Sequence, residues 1–279
     1  MGGARSPARE PRKTGTSDLV PRILVAIPAI AFAIFIIWQG GWVFAAGIGA
    51  LALVCVHELT VMLERARPVR LAAMLAVIGL LVAGTIGDER QVMLALVASI
   101  PVVFALAVLM PQRERITASI AATLLIIVWI GLGVAHAAML RGLEHGVDLV
   151  VMVLLGTFFG DTFAYLGGRL IGRRKLAPLI SPNKTWEGLL CGIVAGTLIA
   201  WYWTRTSDVE WISGTDALLL GLAIVIAAPI GDLFESLIKR DMGTKDTGSL
   251  FGPHGGALDR VDAALFALVA GYYVWLAVS

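Results

Sequence analysis

Long apolar stretches, separated by short polar segments, run through most of this 279-residue chain. Each stretch approaches the roughly 20 residues that a helix needs to cross the hydrocarbon core of a bilayer. We predict about nine such helices, at residues 23–38, 42–62, 71–87, 92–110, 116–139, 147–166, 188–204, 216–238 and 262–278. The pattern therefore predicts an all-α integral membrane protein, built as a polytopic bundle of transmembrane helices.

Composition agrees with this fold class. Hydrophobic residues make up 58% of the chain and charged residues only 15%, whereas an average soluble domain is about half apolar and a quarter charged. Residues 1–22 are rich in Arg, Pro, Gly and Ser, which predicts a disordered basic tail. Residues 23–279 are then one multispanning membrane domain. We expect its catalytic half at about 156–279, because ionisable residues within the spans are concentrated there.

The Lys and Arg residues are distributed unevenly between the two ends of these helices. With a cytoplasmic N-terminus, 19 of the 22 positive residues fall on the cytoplasmic side, as the positive-inside rule requires. Two polar segments of the C-terminal half, 160–188 and 236–262, then face the cytoplasm. Because the positive charge is local, the formal net charge of +2 says little about partners and gives no reason to expect a nucleic acid.

The polar run from Ser236 to Asp262, SLIKRDMGTKDTGSLFGPHGGALDRVD, follows one predicted span and leads into the next. One face of the preceding helix carries a polar stripe: Asp232, Glu235, Ser236 and Lys239. Asp259 and Asp262 stand three residues apart at the start of the last helix, so they can converge on one ion. Capping of the helix start is the alternative explanation for that pair. Asp232 lies inside its helix, where capping does not apply, and we therefore predict a divalent-cation site.

Glycines interrupt the middle of this run and predict a loop whose backbone can approach a ligand: Gly248, Gly252, Gly255 and Gly256. The cations around the loop are candidate phosphate ligands: Lys239, Arg240, Lys245 and Arg260. The positive-inside rule alone also explains basic residues at this end of the helices. His254 can contact a phosphate or a base, or it can hold the loop by hydrogen bonds.

A second polar segment, residues 160–188, reads GDTFAYLGGRLIGRRKLAPLISPNKTWEG. Asp161 falls within the sixth predicted span, and a carboxylate there either serves function or bonds to a neighbouring helix. Ser181 and Lys184 add donors for a phosphate. Thr185 can contact the same ligand or cap the helix that follows.

Polar residues are few in the N-terminal half. His57 and Glu58 lie near the cytoplasmic end of the second predicted span, where both can reach water, so they are candidates only. Cys55 and Cys191 lie alone in separate apolar stretches and suggest neither a disulfide framework nor a metal knuckle.

At these residues the chain resembles the phosphatidate cytidylyltransferases, also called CDP-diacylglycerol synthases. Their signature asks for Ser, Lys-Arg, Lys-Asp, His-Gly-Gly and Asp-Arg-x-Asp, and the run from Ser236 to Asp262 contains every element. The stretches GDLFES, DTFAY and SPNKTWEG also resemble the family pattern, so the resemblance covers about residues 156–262. Ala257 stands where a larger apolar residue is usual. Asn183 stands where a lysine is common, which leaves Lys184 to contact phosphate.

The resemblance implies transfer of CMP from CTP to phosphatidate, giving CDP-diacylglycerol and pyrophosphate, with Mg²⁺ as cofactor and K⁺ at the same metal centre. It implies a multi-pass protein of a bacterial-type inner cell membrane, with its active site facing the cytoplasm. A homodimer is a candidate assembly. On the basis of these residues and of the resemblance, we assign metal binding to Asp232, Asp259, Asp262 and Asp246. We assign substrate binding to Ser181, Lys184, Thr185, Ser236, Arg240, Lys245, His254, Arg260 and Asp161. The predicted catalytic residues are Asp232, Lys239, Asp246 and Asp259.

Two other functions fit some of these features. A cytidylyltransferase could act on another lipid phosphate, such as an ether-lipid or isoprenoid phosphate. A membrane transporter also uses broken polar helices, but it would show paired interruptions in two repeated halves. The polar segments here crowd into one half and one face, which favours chemistry on a cytoplasmic substrate.

Overall fold

The computed structural model describes residues 19–110, 115–206, 211–248 and 255–279, with side chains from Ile27 onward. Its helices are α1 (Leu19–Gln39), α2 (Gly41–Met62), α3 (Arg70–Ile86), α4 (Glu89–Val108), α5 (Ile116–Ile126), α6 (Leu132–Gly142), α7 (Gly146–Leu170), α8 (Trp186–Thr204), α9 (Gly214–Asp241) and α10 (Leu258–Val278). A 3-10 turn, Glu64–Ala66, follows α2, and a π-helical turn, Ile127–Gly131, joins α5 to α6. Two strands, β1 (Lys175–Ala177) and β2 (Ser181–Thr185), form an antiparallel hairpin between α7 and α8.

Each predicted apolar window coincides with a helix in the described ranges, the fifth window being α5, the π-helical turn and α6 in succession. Six of these helices are long and apolar enough to cross a membrane: α2, α4, the segment from α5 to α6, α7, α9 and α10. The helical, multispanning fold class is therefore confirmed. The count of nine spans and the cytoplasmic N-terminus stay predictions. Helix α1 begins at Leu19, inside the segment predicted as a tail, and residues 1–18 of that segment lie outside the described residues.

Apolar side chains occupy the outer surface of the bundle as well as its interior. Phe104, Phe158 and Leu190 are exposed, whereas Met152 of α7 and Ile224 of α9 are fully buried. A helix that is apolar all round is typical of a membrane span, because its outer face contacts lipid tails. The surface therefore agrees with a bundle embedded in a bilayer.

Helices α7 and α8 form the most extensive helix pair. The glycines of α8 face the backbone of α7: an added Cβ at Gly188 would lie 2.5 Å from Ala164 O, and one at Gly192 would lie 2.5 Å from Gly160 O. Small residues at four-residue spacing allow two membrane helices to approach closely. This contact sets the distance between Asp161 on α7 and the hairpin that leads into α8.

We expect Gly192→Ala to destabilise the protein by about 1–3 kcal/mol, because the added methyl group overlaps a backbone oxygen of α7. The matched control is Gly79→Ala on α3, where an added Cβ meets nothing within 4 Å. The control should be neutral or slightly stabilising, since alanine favours helix more than glycine does. Unfolding of both variants in detergent measures the difference, and equal midpoints would contradict the packing argument.

Helices α9 and α10 also pack closely, near the first turn of α10. An added Cβ at Gly231 of α9 would lie 2.6 Å from Asp262 O. The polar stripe predicted on α9 therefore lies directly beside the start of α10.

Candidate active site

A cavity of about 560 Å³ lies between α7, the hairpin and α9. Four charged side chains line it: Asp161 and Arg169 from α7, Lys184 from the hairpin and Asp232 from α9. Lys184 Nζ lies 2.6 Å from Asp232 Oδ2, and Ser236 Oγ, one turn further along α9, donates to Asp232 Oδ1 at 3.3 Å. The side chains of Lys184 and Asp232 are 25% and 30% exposed, whereas the Lys184 Nζ atom itself is buried. We call this space the hairpin cavity.

Two sets of hydrogen bonds hold the hairpin against the helices. Arg240 Nε, near the end of α9, donates to Ile180 O at the tip of the hairpin at 3.1 Å. The Glu187 carboxylate accepts from the backbone N–H groups of Arg173 and Arg174, at 3.0 and 3.1 Å. Arg240, predicted to bind substrate, therefore helps to position the wall of the hairpin cavity.

Two other predicted substrate ligands lie on strand β2. The Thr185 hydroxyl is buried and accepts from Gly188 N at 3.1 Å, so it caps α8. Ser181 pairs with Ala177 across the hairpin. The capping alternative for Thr185 is thus confirmed.

A second group of charged residues lies where α9 meets α10. Lys239 Nζ contacts the Glu235 carboxylate and lies 2.8 Å from Asp259 Oδ1. Asp259 Oδ2 also accepts from Thr247 N at 3.0 Å and from Gly256 N at 2.7 Å. The side chains are 12% exposed for Lys239, 8% for Asp259 and 1% for Glu235. With the adjacent aspartate of α10, they form what we call the carboxylate–lysine cluster: Glu235, Lys239, Asp259 and Asp262.

Within this cluster, the carboxyl groups of Glu235 and Asp262 interact directly. Asp262 is buried, and it lies within electrostatic range of Asp232 and Asp161 in the hairpin cavity. The two groups of charges are therefore neighbours rather than independent sites. Glu235 was placed on the predicted polar stripe, but no role was assigned to it. Its spacing of four residues from Lys239 is the sequence feature that could have indicated this ion pair.

Four predicted residues belong to neither group: Lys245, Asp246, His254 and Arg260. Lys245 and Asp246 are exposed after the end of α9 and, among the described residues, make no hydrogen bond or ion pair with either group. Arg260 is exposed on the first turn of α10. His254 lies outside the described residues. Those assignments stay predictions.

Glu58 of α2 differs from its sequence-based description. It was expected to reach water, but it is only 6% exposed. Its Oε1 accepts from Ala257 N and its Oε2 from Leu258 N, both at 3.0 Å. This contact could not be predicted from a local sequence pattern, because the partners are 199 and 200 residues apart in the chain.

The fit of a magnesium ion differs between the predicted ligands. The described residues hold no group of three or more His, Cys, Asp or Glu side chains that could bind one metal ion. Both oxygens of Asp259 are engaged by Lys239 and by backbone N–H groups. Asp232, a predicted metal ligand, instead lines the hairpin cavity together with Asp161, which was predicted to bind substrate. Mg²⁺ commonly binds through one or two carboxylates together with substrate phosphates, so these two aspartates fit an ion that is bound jointly with a phosphate ligand.

The chain is similar to many curated proteins, and three of them, each named phosphatidate cytidylyltransferase, illustrate the range. The relative from Mycobacterium bovis is 36% identical over 168 residues, which is 59% of this chain and 53% of that protein. The relative from Haemophilus influenzae is 37% identical over 127 residues, 44% of each chain. The relative from Staphylococcus epidermidis is 32% identical over 254 residues, 88% of this chain and 95% of that protein.

The alignments differ in extent. The chain spans about half the length of the first two relatives and 95% of the third. A family model described as the cytidylyltransferase family matches residues 20–278, which includes both groups of charges and the N-terminal helices. The chain therefore belongs to the cytidylyltransferase family.

Proposed function

We propose that this protein transfers CMP from CTP to phosphatidate, giving CDP-diacylglycerol and pyrophosphate. The observation that supports the proposal is the convergence of Asp161, Lys184 and Asp232 on one cavity, beside the carboxylate–lysine cluster. Such a site combines carboxylates for a hard cation with a cation for phosphate oxygens, which nucleotidyl transfer requires. The names of the similar relatives supply the two substrates.

In the proposed reaction, a phosphate oxygen of phosphatidate attacks the α-phosphorus of CTP. The bond between the α-phosphorus and the oxygen bridging to the β-phosphate breaks, and pyrophosphate leaves. A phosphate monoester is largely ionised near neutral pH, so no strong general base is required. Positioning and charge stabilisation then supply most of the rate.

The residues divide this work by their contacts. Lys184 Nζ is paired with one carboxylate oxygen, which leaves N–H donors for the phosphates of CTP. Asp161 and Asp232 would hold magnesium, and the bound ion neutralises charge on the triphosphate and the leaving pyrophosphate. Lys239 holds Glu235 and Asp259 together, which fixes the first turn of α10 beside the cavity.

The proposed location is a bacterial-type inner membrane, with the site at the cytoplasmic face. CTP is water-soluble and phosphatidate is a lipid, so the reaction requires a site at a membrane surface. The clustering of 19 of the 22 Lys and Arg residues on the side of the hairpin and the glycine loop supports that orientation. Crowding of the polar residues into one half favours an enzyme over a transporter.

Purified protein in detergent, given labelled CTP, phosphatidate and MgCl₂, is expected to form lipid-linked CMP. Removal of the divalent cation with EDTA should lower the rate about 100-fold or more, because uncompensated triphosphate charge costs several kcal/mol. Restoring MgCl₂ should recover the rate. Parallel reactions with and without KCl test whether a potassium ion contributes to the rate.

The same assay distinguishes the lipid acceptor. Phosphatidate should be preferred over an isoprenoid phosphate or an ether-linked phosphatidate offered at the same concentration. Absence of labelled lipid with every acceptor would contradict the proposal, and faster labelling of another lipid phosphate would reassign the substrate.

A further inference from the structure

Glu58 connects the N-terminal half of the bundle to the catalytic half. It lies on α2, and its two carboxylate oxygens accept hydrogen bonds from the backbone of Ala257 and Leu258. These bonds fall at the start of α10, immediately before Asp259. A residue outside the signature region therefore contacts the backbone that presents the signature aspartates.

The described ends of the glycine loop, Gly248 and Gly256, lie close to the Glu58 carboxylate. An added Cβ at Gly248 would lie 2.5 Å from Glu58 Oε1, and one at Gly256 would lie 2.5 Å from Glu58 Oε2. The Gly256 position is equally close to the hydroxyl of Thr247. Both ends of the loop therefore close against the same carboxylate, and glycine is needed at each end because a side chain would displace it.

Helix α10 has no side-chain cap from its own sequence, because the residue preceding it is Ala257. The first N–H groups of a helix lack partners within the helix. Glu58 supplies two acceptors, and the helix dipole in turn favours its buried charge. Asp259 binds the other side of the loop backbone through Thr247 N and Gly256 N. The loop ends are thus held between two carboxylates.

We infer that Glu58 is a positioning residue for the nucleotidyl transfer: it fixes the loop ends and the first turn of α10, so that Asp259 and Asp262 meet Lys239 and Glu235. This inference rests on the proposed function. It assigns to α2 a role in the reaction that involves no contact with CTP or with the lipid phosphate.

The test compares Glu58→Gln, Glu58→Asp and Glu64→Gln in the full-length protein. Glu58→Gln removes the charge and replaces one acceptor with a donor that opposes a backbone N–H. We expect its kcat for CMP transfer to fall about 10–100-fold, with the KM for phosphatidate changed less than about threefold. Glu58→Asp keeps the charge and should recover part of kcat. Glu64→Gln changes an exposed carboxylate just after α2 and should behave as wild type.

Hydrogen exchange measured by mass spectrometry supplies a readout that does not require activity. Peptides covering residues 255–265 should exchange faster in Glu58→Gln, while peptides from α3, α4 and α7 keep their wild-type protection. Wild-type kcat in Glu58→Gln would overturn the inference, as would faster exchange throughout the chain, which indicates general destabilisation. If the wild-type protein transfers no CMP, the proposed function fails, and the exchange pattern alone decides whether Glu58 holds this segment.

Discussion

Replacing Asp259 with asparagine is expected to lower CMP transfer about 1,000-fold while leaving the protein folded in the membrane. The Asp259 carboxylate accepts from Lys239 Nζ at 2.8 Å and from the backbone N–H groups of Thr247 and Gly256. An asparagine amide removes the charge that balances Lys239 and turns an N–H₂ group toward a donor. Transfer is measured as labelled lipid formed by purified protein, and insertion as the yield of monodisperse protein from membranes.

A matched control for this prediction is Asp241→Asn. Asp241 is an exposed carboxylate in the last turn of α9, near the same end of the bundle. It should retain wild-type transfer, because it lies outside the carboxylate–lysine cluster. Wild-type rates of CDP-diacylglycerol synthesis by Asp259→Asn would refute the assignment of Asp259 to the site.

Replacing Lys184 with alanine is expected to lower kcat/KM for CTP about 100-fold. Lys184 provides the ammonium group that lines the hairpin cavity and balances Asp232 at 2.6 Å. Without it, two carboxylates, Asp161 and Asp232, face a single remaining cation, Arg169, and this balance disfavours the entry of a triphosphate. The rate is measured at several CTP concentrations with phosphatidate held in excess.

Lys175→Ala is the control for Lys184→Ala. Lys175 lies on strand β1 of the same hairpin, is exposed and does not line the cavity. Asp232→Asn combined with Lys184→Ala should cost less than the sum of the single effects, because paired residues couple. An unchanged kcat/KM in Lys184→Ala, or strictly additive costs, would show that the pair does not act on CTP as a unit.

The helices and the polar stripe on α9 could be predicted from the sequence, because both depend on local periodicity. Apolar windows near 20 residues predicted the helices, and the spacing of Asp232, Ser236 and Lys239 placed them on one face of α9. Asp259 and Asp262 were likewise expected beside that face. These predictions needed only helix geometry.

The remaining features depend on contacts between distant segments. The sequence indicated only a polar segment where the hairpin lies, since strands of three and five residues leave little periodic signal. The meeting of Asp161 and Lys184 with Asp232 requires the close approach of α7 and α8. The contact of Glu58 with α10 joins residues about 200 positions apart. A single sequence contains no local pattern from which such pairings follow.

The π-helical turn between α5 and α6 fixes the number of residues that the segment Ile116–Gly142 can contain. Trp129, within the turn, packs edge-on against Phe234 of α9 with ring centroids 4.9 Å apart. Beyond the turn, His136 Nε2 lies 3.1 Å from the Tyr273 hydroxyl of α10. Deleting one residue at the turn would rotate everything beyond it by about 100° and could not preserve both contacts. Among natural variants of this protein, single-residue insertions and deletions should therefore be excluded from the segment between these two contacts.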